Sequence, residues 1–153
     1  MKTKKTFDLK KGVDFIGVTC VFYCHDGKGN LLMHKRSSQC RDEHGRWDPG
    51  SGSMEHGETF LQTVRREIKE EYCVTPKNVQ FWAVNNLLRW NGKMRTHWIA
   101  LLFTAEVDPK KVNIGEPEKM DELTWFPIHQ LPRPLHSMMK KHLKMIREHG
   151  AQI

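Results

Sequence analysis

Cysteine is scarce and unpaired in this chain. Four occur in 153 residues, Cys20, Cys24, Cys40 and Cys73, with no C-x-x-C spacing among them. That pattern excludes a zinc knuckle, gives no disulfide framework and fits a reduced, cytoplasmic setting. A zinc site drawn from Cys24, His25, His34, Cys40 and His44 would lack the paired ligand spacing that such sites use. Long apolar runs are also missing. The longest, Trp98 to Phe103, is far too short to span a bilayer, so no membrane partner is expected. The opening MKTKKTFDLKKG, residues 1–12, is a basic segment that leads into no apolar core of the signal-peptide kind. Internal repeats and low-complexity linkers are absent, and the length predicts a single domain over 1–153.

The apolar fraction is 38%, with five Trp and seven Phe, which argues against disorder and for a packed core. The net charge is +7, which favours polyanionic partners such as nucleotides. Much of that excess lies in Lys2, Lys4, Lys5, Lys10 and Lys11 and in Lys140, Lys141, Lys144 and Arg147. Both runs read as solvated surface, and no alternation of basic and aromatic residues points to nucleic acid.

Val13 to Cys24 is rich in β-branched and aromatic residues and predicts a strand, with Cys20 and Cys24 on one face as small apolar groups. Asp26 to Asn30 is turn chemistry, and Leu31 to Lys35 returns as a second strand. Ser37 to Ser53 carries Gly45, Pro49, Gly50 and Gly52 and predicts a long loop, the kind that is usually functional. Thr59 to Tyr72 predicts a helix capped by Thr59, with Leu61, Val64, Ile68 and Tyr72 as its apolar stripe and Thr75-Pro76 ending it. Val79 to Trp90 and Met94 to Thr104 predict a hairpin around Asn91 to Lys93. A loop over Asp108 to Leu123, a short strand over Trp125 to Ile128 and a last helix over Pro134 to His149 complete the chain. Leu135, Met138, Met139, Leu143 and Ile146 form the predicted buried side of that last helix. The order is that of a mixed sheet with helices packed on it.

The first helix collects Glu67, Glu70 and Glu71 beside Arg65 and Arg66. At about 100° per residue the three carboxylates share an arc of roughly 100°, flanking the apolar stripe. Like charges at i,i+3 and i,i+4 repel, and a hard divalent cation removes the penalty because Mg²⁺ takes carboxylate oxygens together with waters and phosphates. The competing reading is a charged surface face with Arg65, Arg66 and Lys69 as ion-pair partners. The preceding loop favours the cation: Gly50, Gly52 and Gly57 allow close backbone approach, and Glu58 adds a fourth acid near the helix start.

Gly52, Glu58, Arg66-Glu67-Ile68 and Glu70-Glu71, closed by Val74, resemble the Nudix box, G-x5-E-x7-R-E-U-x-E-E-x-G-U with U aliphatic. One specified position departs: Cys73 stands where the box has Gly. That Gly ends the helix in a left-handed conformation, which would cost a Cys about 1–2 kcal/mol. Gly50-Ser51-Gly52 replaces the Pro-Gly-Gly of many relatives, and WFPIHQLP from Trp125 to Pro132 extends the likeness beyond the box.

The resemblance implies an α/β fold, an α/β/α sandwich with a mixed sheet, and hydrolysis of a nucleoside diphosphate linked to a further group, using Mg²⁺ or Mn²⁺. It implies a metal held by Glu67, Glu70, Glu71 and the Gly52 carbonyl, with Arg66 and Glu58 in support. The base that activates water is implied to be Glu67 or a carboxylate of the late loop. Among Glu116, Glu118, Asp121 and Glu122 in that loop, Glu116 and Glu118 are the choices. The stretch Gly115 to Lys119 followed by Trp125-Phe126 resembles the MutT-like branch, which implies a nucleoside triphosphate, normal or oxidised, as substrate. Leu88-Arg89-Trp90 stands where the ADP-ribose branch carries a Pro, and neither the Tyr of the dinucleoside polyphosphate branch nor the SQPWPFPxS of the NADH branch is present. A nucleotide-sugar, ADP-ribose or RNA 5′ end remains the alternative, and a nucleotide sensor without turnover the third reading. Homodimers occur in the family, with no interface signal in this chain. Trp47, Phe22, Trp90 and Trp98 are candidates to stack a base, although core packing is the stronger reading of each. His34, Lys35 and Arg36 are candidates to meet phosphates, and His97 reads as a structural histidine.

Overall fold

The structure is a computed structural model that describes residues 8–153; the basic N-terminal run lies largely outside them. Seven strands form one mixed sheet: β1 (Gly17–His25), β2 (Asn30–Arg36), β3 (Trp47–Asp48), β4 (Gly50–Ser53), β5 (Lys77–Asn91), β6 (Met94–Glu106) and β7 (Met120–Pro127). Helix α1 (Phe60–Tyr72) covers one face and α2 (Met139–Glu148) the other. Parallel pairing of β1 with β6, from Gly17↔Trp98 to His25↔Glu106, forms the centre, and β5 pairs antiparallel with β6.

Both faces of the sheet are buried, so the central strands alternate between two cores rather than between core and water. Cys20, Phe22 and Cys24 point toward α1, where Val64, Ile68 and Tyr72 meet them. Val21 and Tyr23 point the other way, toward Met139, Leu143 and Ile146 of α2. The near-continuous apolar run of β1 follows from this double burial.

One feature of the sheet makes room for a site. β1 and β2 pair only at His25↔Leu31; beyond that point they part. β4 then pairs with β1, from Thr19↔Ser53 to Phe22↔Gly50, while β3 and β7 pair with β2. The stretch 37–53 is therefore not all loop. Its second half supplies β3 and β4, one to each arm of the fork.

Other boundaries shift as well. Val13 to Ile16 precede β1: the amide of Gly12 bonds the carbonyl of Phe15, and the Asp14 side chain accepts from the amide of Lys10, closing a turn instead of extending the strand. β7 begins at Met120 because β2 offers it a full partner edge. The last helix starts five residues later than Pro134, because the backbone of 134–136 is taken up by β3: Trp47 donates to the Pro134 carbonyl and His136 donates to the Trp47 carbonyl, each at 2.8 Å. Leu135 and Met138 are accordingly half-buried, outside the helix's packed face. Leu61, in the first turn of α1, is exposed, and Thr63 and Glu71 are buried in its stead.

Thr59 caps α1 in a capping box, its Oγ1 accepting from the Gln62 amide while Gln62 Oε1 accepts from the Thr59 amide. Cys73 closes the helix at φ 57°, ψ 25°, keeping the left-handed conformation without the glycine. Two buried histidines are held neutral. Burial pushes His34 down to about 3, helped by Arg36 and His136, and His142 down to about 4, helped by His136 and Lys141.

Two outcomes are expected. Cys73→Gly relieves the strained cap at an exposed position and should raise stability by roughly 1 kcal/mol, read as a higher urea midpoint; a lower midpoint would count against a strained cap. A depressed histidine pKa stabilises the fold above the unfolded value of 6.5, and that contribution is lost as pH falls toward the folded value. Unfolding free energy should therefore drop between pH 6.5 and 4, and His142→Gln should flatten part of that drop.

Candidate active site

The arc of carboxylates on α1 runs from inside to outside. Glu71 is buried, Glu67 is half-buried, and the Glu70 side chain is half-exposed. Burial pushes the Glu71 carboxyl well above its ordinary range, and Glu67, Glu116 and Asp48 add to the push. Burial also raises Glu67, against the opposing charge of Arg66.

Arg66 ties the surroundings together. Its Nε donates to Glu58 Oε1 at 2.6 Å and its Nη2 to Glu58 Oε2 at 2.9 Å, a two-point pairing that holds Glu58 down to about 2. Its Nη1 donates to Glu67 Oε1 at 2.7 Å and to Glu70 Oε2 at 3.2 Å, and its Nη2 also reaches the Ser53 carbonyl. Glu58 further accepts from the Thr63 hydroxyl and the Glu55 amide. Arg66 and Glu58 thus fix the loop to the helix and set the direction of two carboxylates.

Gly52 sits against Glu67. A Cβ at Gly52 would stand 1.8 Å from Glu67 Cδ, so a side chain there would push the Glu67 carboxylate out of its present position. The Gly52 carbonyl accepts from the Thr19 hydroxyl at 3.0 Å.

The late loop docks on the end of α1. Amides of Asn113 and Gly115 donate to the carbonyls of Tyr72 and Glu71, at 3.0 and 2.9 Å, and so satisfy two of the helix's terminal acceptors. A Cβ at Gly115 would meet the Glu70 carbonyl oxygen at 1.8 Å, which makes glycine obligatory there. The next residue, Glu116, is thereby brought to the carboxylate arc. Its Oε1 accepts from Lys119 Nζ at 2.8 Å. Its Oε2 is buried without a hydrogen-bond partner among the described residues, as is Glu71 Oε2. The other loop acids go elsewhere: Glu118 and Asp121 are exposed, and Glu122 pairs with Lys35 at 3.0 Å.

A cavity of about 560 Å³ opens between the arms of the sheet fork. Gly52, Glu67, Glu71 and Lys119 line it beside α1, Tyr23, His34, Arg36 and Asp48 line its middle, and His136, Met138, Met139 and His142 line it beside α2. Of the aromatic candidates only Trp98 lines the cavity. Phe22 and Trp47 belong to the cores, and Trp90 is exposed. His34 and Arg36 face the cavity but are engaged, His34 Nδ1 with the Tyr72 hydroxyl and Arg36 with Asp42 and Asp48. His97 bonds Asn86 at 2.7 Å. Sequence reading missed Tyr23, Asp48, Lys119 and His136. Met138 and Met139 read as core filler; both line the cavity, and Met139 packs in the α2 core as well. The Asp before Pro49-Gly50 gave no usable signal, since an aspartate leading into a glycine loop is ordinary turn chemistry.

A cation fits this chemistry. Two buried carboxylate oxygens without hydrogen-bond partners, beside a third carboxylate, are hard-oxygen donors left free to take a cation. Among the described residues no three His, Cys, Asp or Glu side chains stand grouped for ligation, at the carboxylates or at the cysteines. The Arg66 pairs engage Glu67 and Glu70 instead. No described helix is long and apolar enough to cross a membrane.

The model of the NUDIX domain matches residues 15–149. The 8-oxo-dGDP phosphatase NUDT18 of Mus musculus is 27% identical over 137 residues, which are 88% of this chain and 39% of that protein. This chain therefore spans about two fifths of that relative's length. The RNA pyrophosphohydrolase of Bartonella henselae is 27% identical over 148 residues, covering 84% of each chain. The crystal structure of MutT NUDIX hydrolase from Burkholderia pseudomallei superposes with a TM-score of 0.75 at 24% identity, over 86% of this chain and 98% of that one. With the match running through both arms of the fork and both helices, the chain belongs to the NUDIX family of hydrolases.

Proposed function

We propose that the protein hydrolyses a pyrophosphate linkage of a nucleoside triphosphate, normal or oxidised, releasing the monophosphate and pyrophosphate with the help of Mg²⁺ or Mn²⁺. The observation that carries this is the pair of buried, unpartnered oxygens, Glu71 Oε2 and Glu116 Oε2, with Glu71 lining a nucleotide-sized cavity.

Glu67, Glu71 and the Gly52 carbonyl would hold the cation, with Glu70 shared between it and Arg66. A divalent cation there neutralises the diphosphate and makes a bound water acidic. Glu116 is the better base of the two loop acids: it alone is drawn to the arc, and Lys119 steadies its other oxygen. In the reaction the water oxygen bonds to phosphorus, the bridging P–O bond breaks toward the leaving group, and the water's proton goes to Glu116. Lys119 also faces the cavity, where its ammonium favours phosphate oxygens. Arg66 and Glu58 keep the helix carboxylates aimed and do not reach the cavity.

A second reading takes the triphosphorylated 5′ end of an RNA. Similarity to a protein named RNA pyrophosphohydrolase over 84% of each chain supports it, as does the exposed basic face of α2 formed by Lys140, Lys141, Lys144 and Arg147. A sensor without turnover would have no use for the full set of carboxylates.

Phosphate and pyrophosphate release should be measured with Mg²⁺ over normal and oxidised nucleoside triphosphates, nucleoside diphosphates, ADP-ribose, nucleotide-sugars and 5′-triphosphate RNA. Pyrophosphate from a triphosphate is expected; turnover of diphosphate-linked compounds alone would sink the proposal. Glu71→Gln should cut turnover by more than about 100-fold, beyond what losing a supporting group costs. Mg²⁺ should raise the melting temperature of the parent protein and much less that of Glu71→Gln. Glu116→Gln should cut kcat by about 10²–10⁴-fold, whereas Glu118→Gln should leave it close to the parent.

A further inference from the structure

Tyr23 presents a hydroxyl that the fold leaves without use. The residue is 1% exposed, its ring is packed in the α2-side core, and its hydroxyl has no hydrogen-bond partner among the described residues. It lines the cavity. A phenylalanine would pack as well and would bury no unmet polar group, so folding alone gives no reason for the oxygen.

Asp48 lies nearby on β3. It is buried, faces the same cavity and accepts from Arg36 Nη1 at 2.9 Å. The Asp48 charge is close enough to be felt by the Tyr23 phenol. A carboxylate this deep in a cavity wall, steadied on one side by a guanidinium, offers acceptor oxygens to a ligand. The three histidines that share the wall are bound to other groups, His34 to the Tyr72 hydroxyl, His142 to the Asn85 side chain, and His136 to Glu43 Oε2 at 3.1 Å and the Met138 amide; burial keeps the first two neutral. At this level Tyr23 offers a hydroxyl, which can donate, and Asp48 a carboxylate, which can only accept.

We propose that the Tyr23 hydroxyl and the Asp48 carboxylate read the edge of a purine that carries a ring carbonyl beside N–H donors, a guanine-type base, and so decide which nucleotide the site accepts. The carbonyl takes the Tyr23 proton, and the adjacent ring N–H and exocyclic amine meet Asp48. An adenine presents a ring nitrogen lone pair where guanine has its N–H, and that lone pair faces the carboxylate with the wrong sign. The cavity has room for a purine nucleotide that extends from this wall to Glu67 and Glu71.

This inference rests on the nucleotide reading above, so its test separates the two. Binding of GMP, IMP and AMP is measured by calorimetry without metal, which needs no turnover, and kcat and KM are measured for GTP and ATP. The parent protein should bind GMP more tightly than AMP by at least about tenfold, with IMP between them because it lacks the exocyclic amine. Tyr23→Phe should weaken GMP binding by about 3–10-fold and act on KM for GTP more than on kcat, while its melting temperature stays level or rises. Asp48→Asn should narrow the GMP-to-AMP ratio; its circular dichroism spectrum shows whether it folds, and if it does not, the Tyr23→Phe result and the GMP, IMP and AMP series decide. Equal binding of GMP and AMP by the parent, or a GMP affinity untouched by Tyr23→Phe, overturns the inference. Loss of all triphosphate hydrolysis with the GMP preference intact would instead sink the proposed reaction and leave the base reading standing.

Discussion

Arg66 is the residue on which the site is strung. One guanidinium bridges a loop carboxylate, Glu58, and two helix carboxylates, Glu67 and Glu70, and touches the Ser53 carbonyl. Without it the acidic arc of α1 would repel the acidic end of the glycine loop. The two-point pairing with Glu58 also carries geometric information that a lysine could not supply, because a planar fork fixes direction as well as distance. Glu71 alone lies beyond its reach. That carboxyl is left buried among like charges, and its disfavoured ionised form is what a cation can relieve.

The fork in the sheet is the second requirement. β1 and β2 part after a single paired position, and the gap is held open by β4 on one arm and β3 with β7 on the other. A closed sheet would separate the two helices completely. The fork lets one cavity run from the carboxylates of α1 to the first turn of α2, with Tyr23 and Asp48 between. Phosphate chemistry and base contacts can then sit in one channel although they are built on opposite faces of the sheet.

Much of this was legible in the chain. The capped helix with its apolar stripe, the hairpin of β5 and β6 and the carboxylate spacing all depend on contacts between near neighbours, which periodicity reports. The starts of β1 and α2 were not: a turn closed by Gly12 and Asp14 delays β1, and α2 starts late because Trp47 claims the backbone at Pro134 and His136. The short strands β3 and β4 hid in a stretch of glycine and polar residues that carries no strand propensity and pairs only because the fork supplies edges. Leu61 matched the stripe in angle but lies in the first turn, beyond the sheet.

The sequence by itself determined that acids would crowd one arc of one helix, that a glycine loop would precede them and that Arg66 would stand among them, since these follow from spacing along a single element. Only the tertiary structure decided which acid was buried and which was shared, that Glu116 rather than Glu118 would join them, and that Tyr23 and Asp48 would face the same cavity. The reason is physical. Gly115 can press against the Glu70 carbonyl only because it has no Cβ, and that approach turns Glu116 inward from a loop more than forty residues along the chain. Burial, and with it the charge state and availability of a side chain, is a property of what packs against a residue and not of the residue's own place in the sequence.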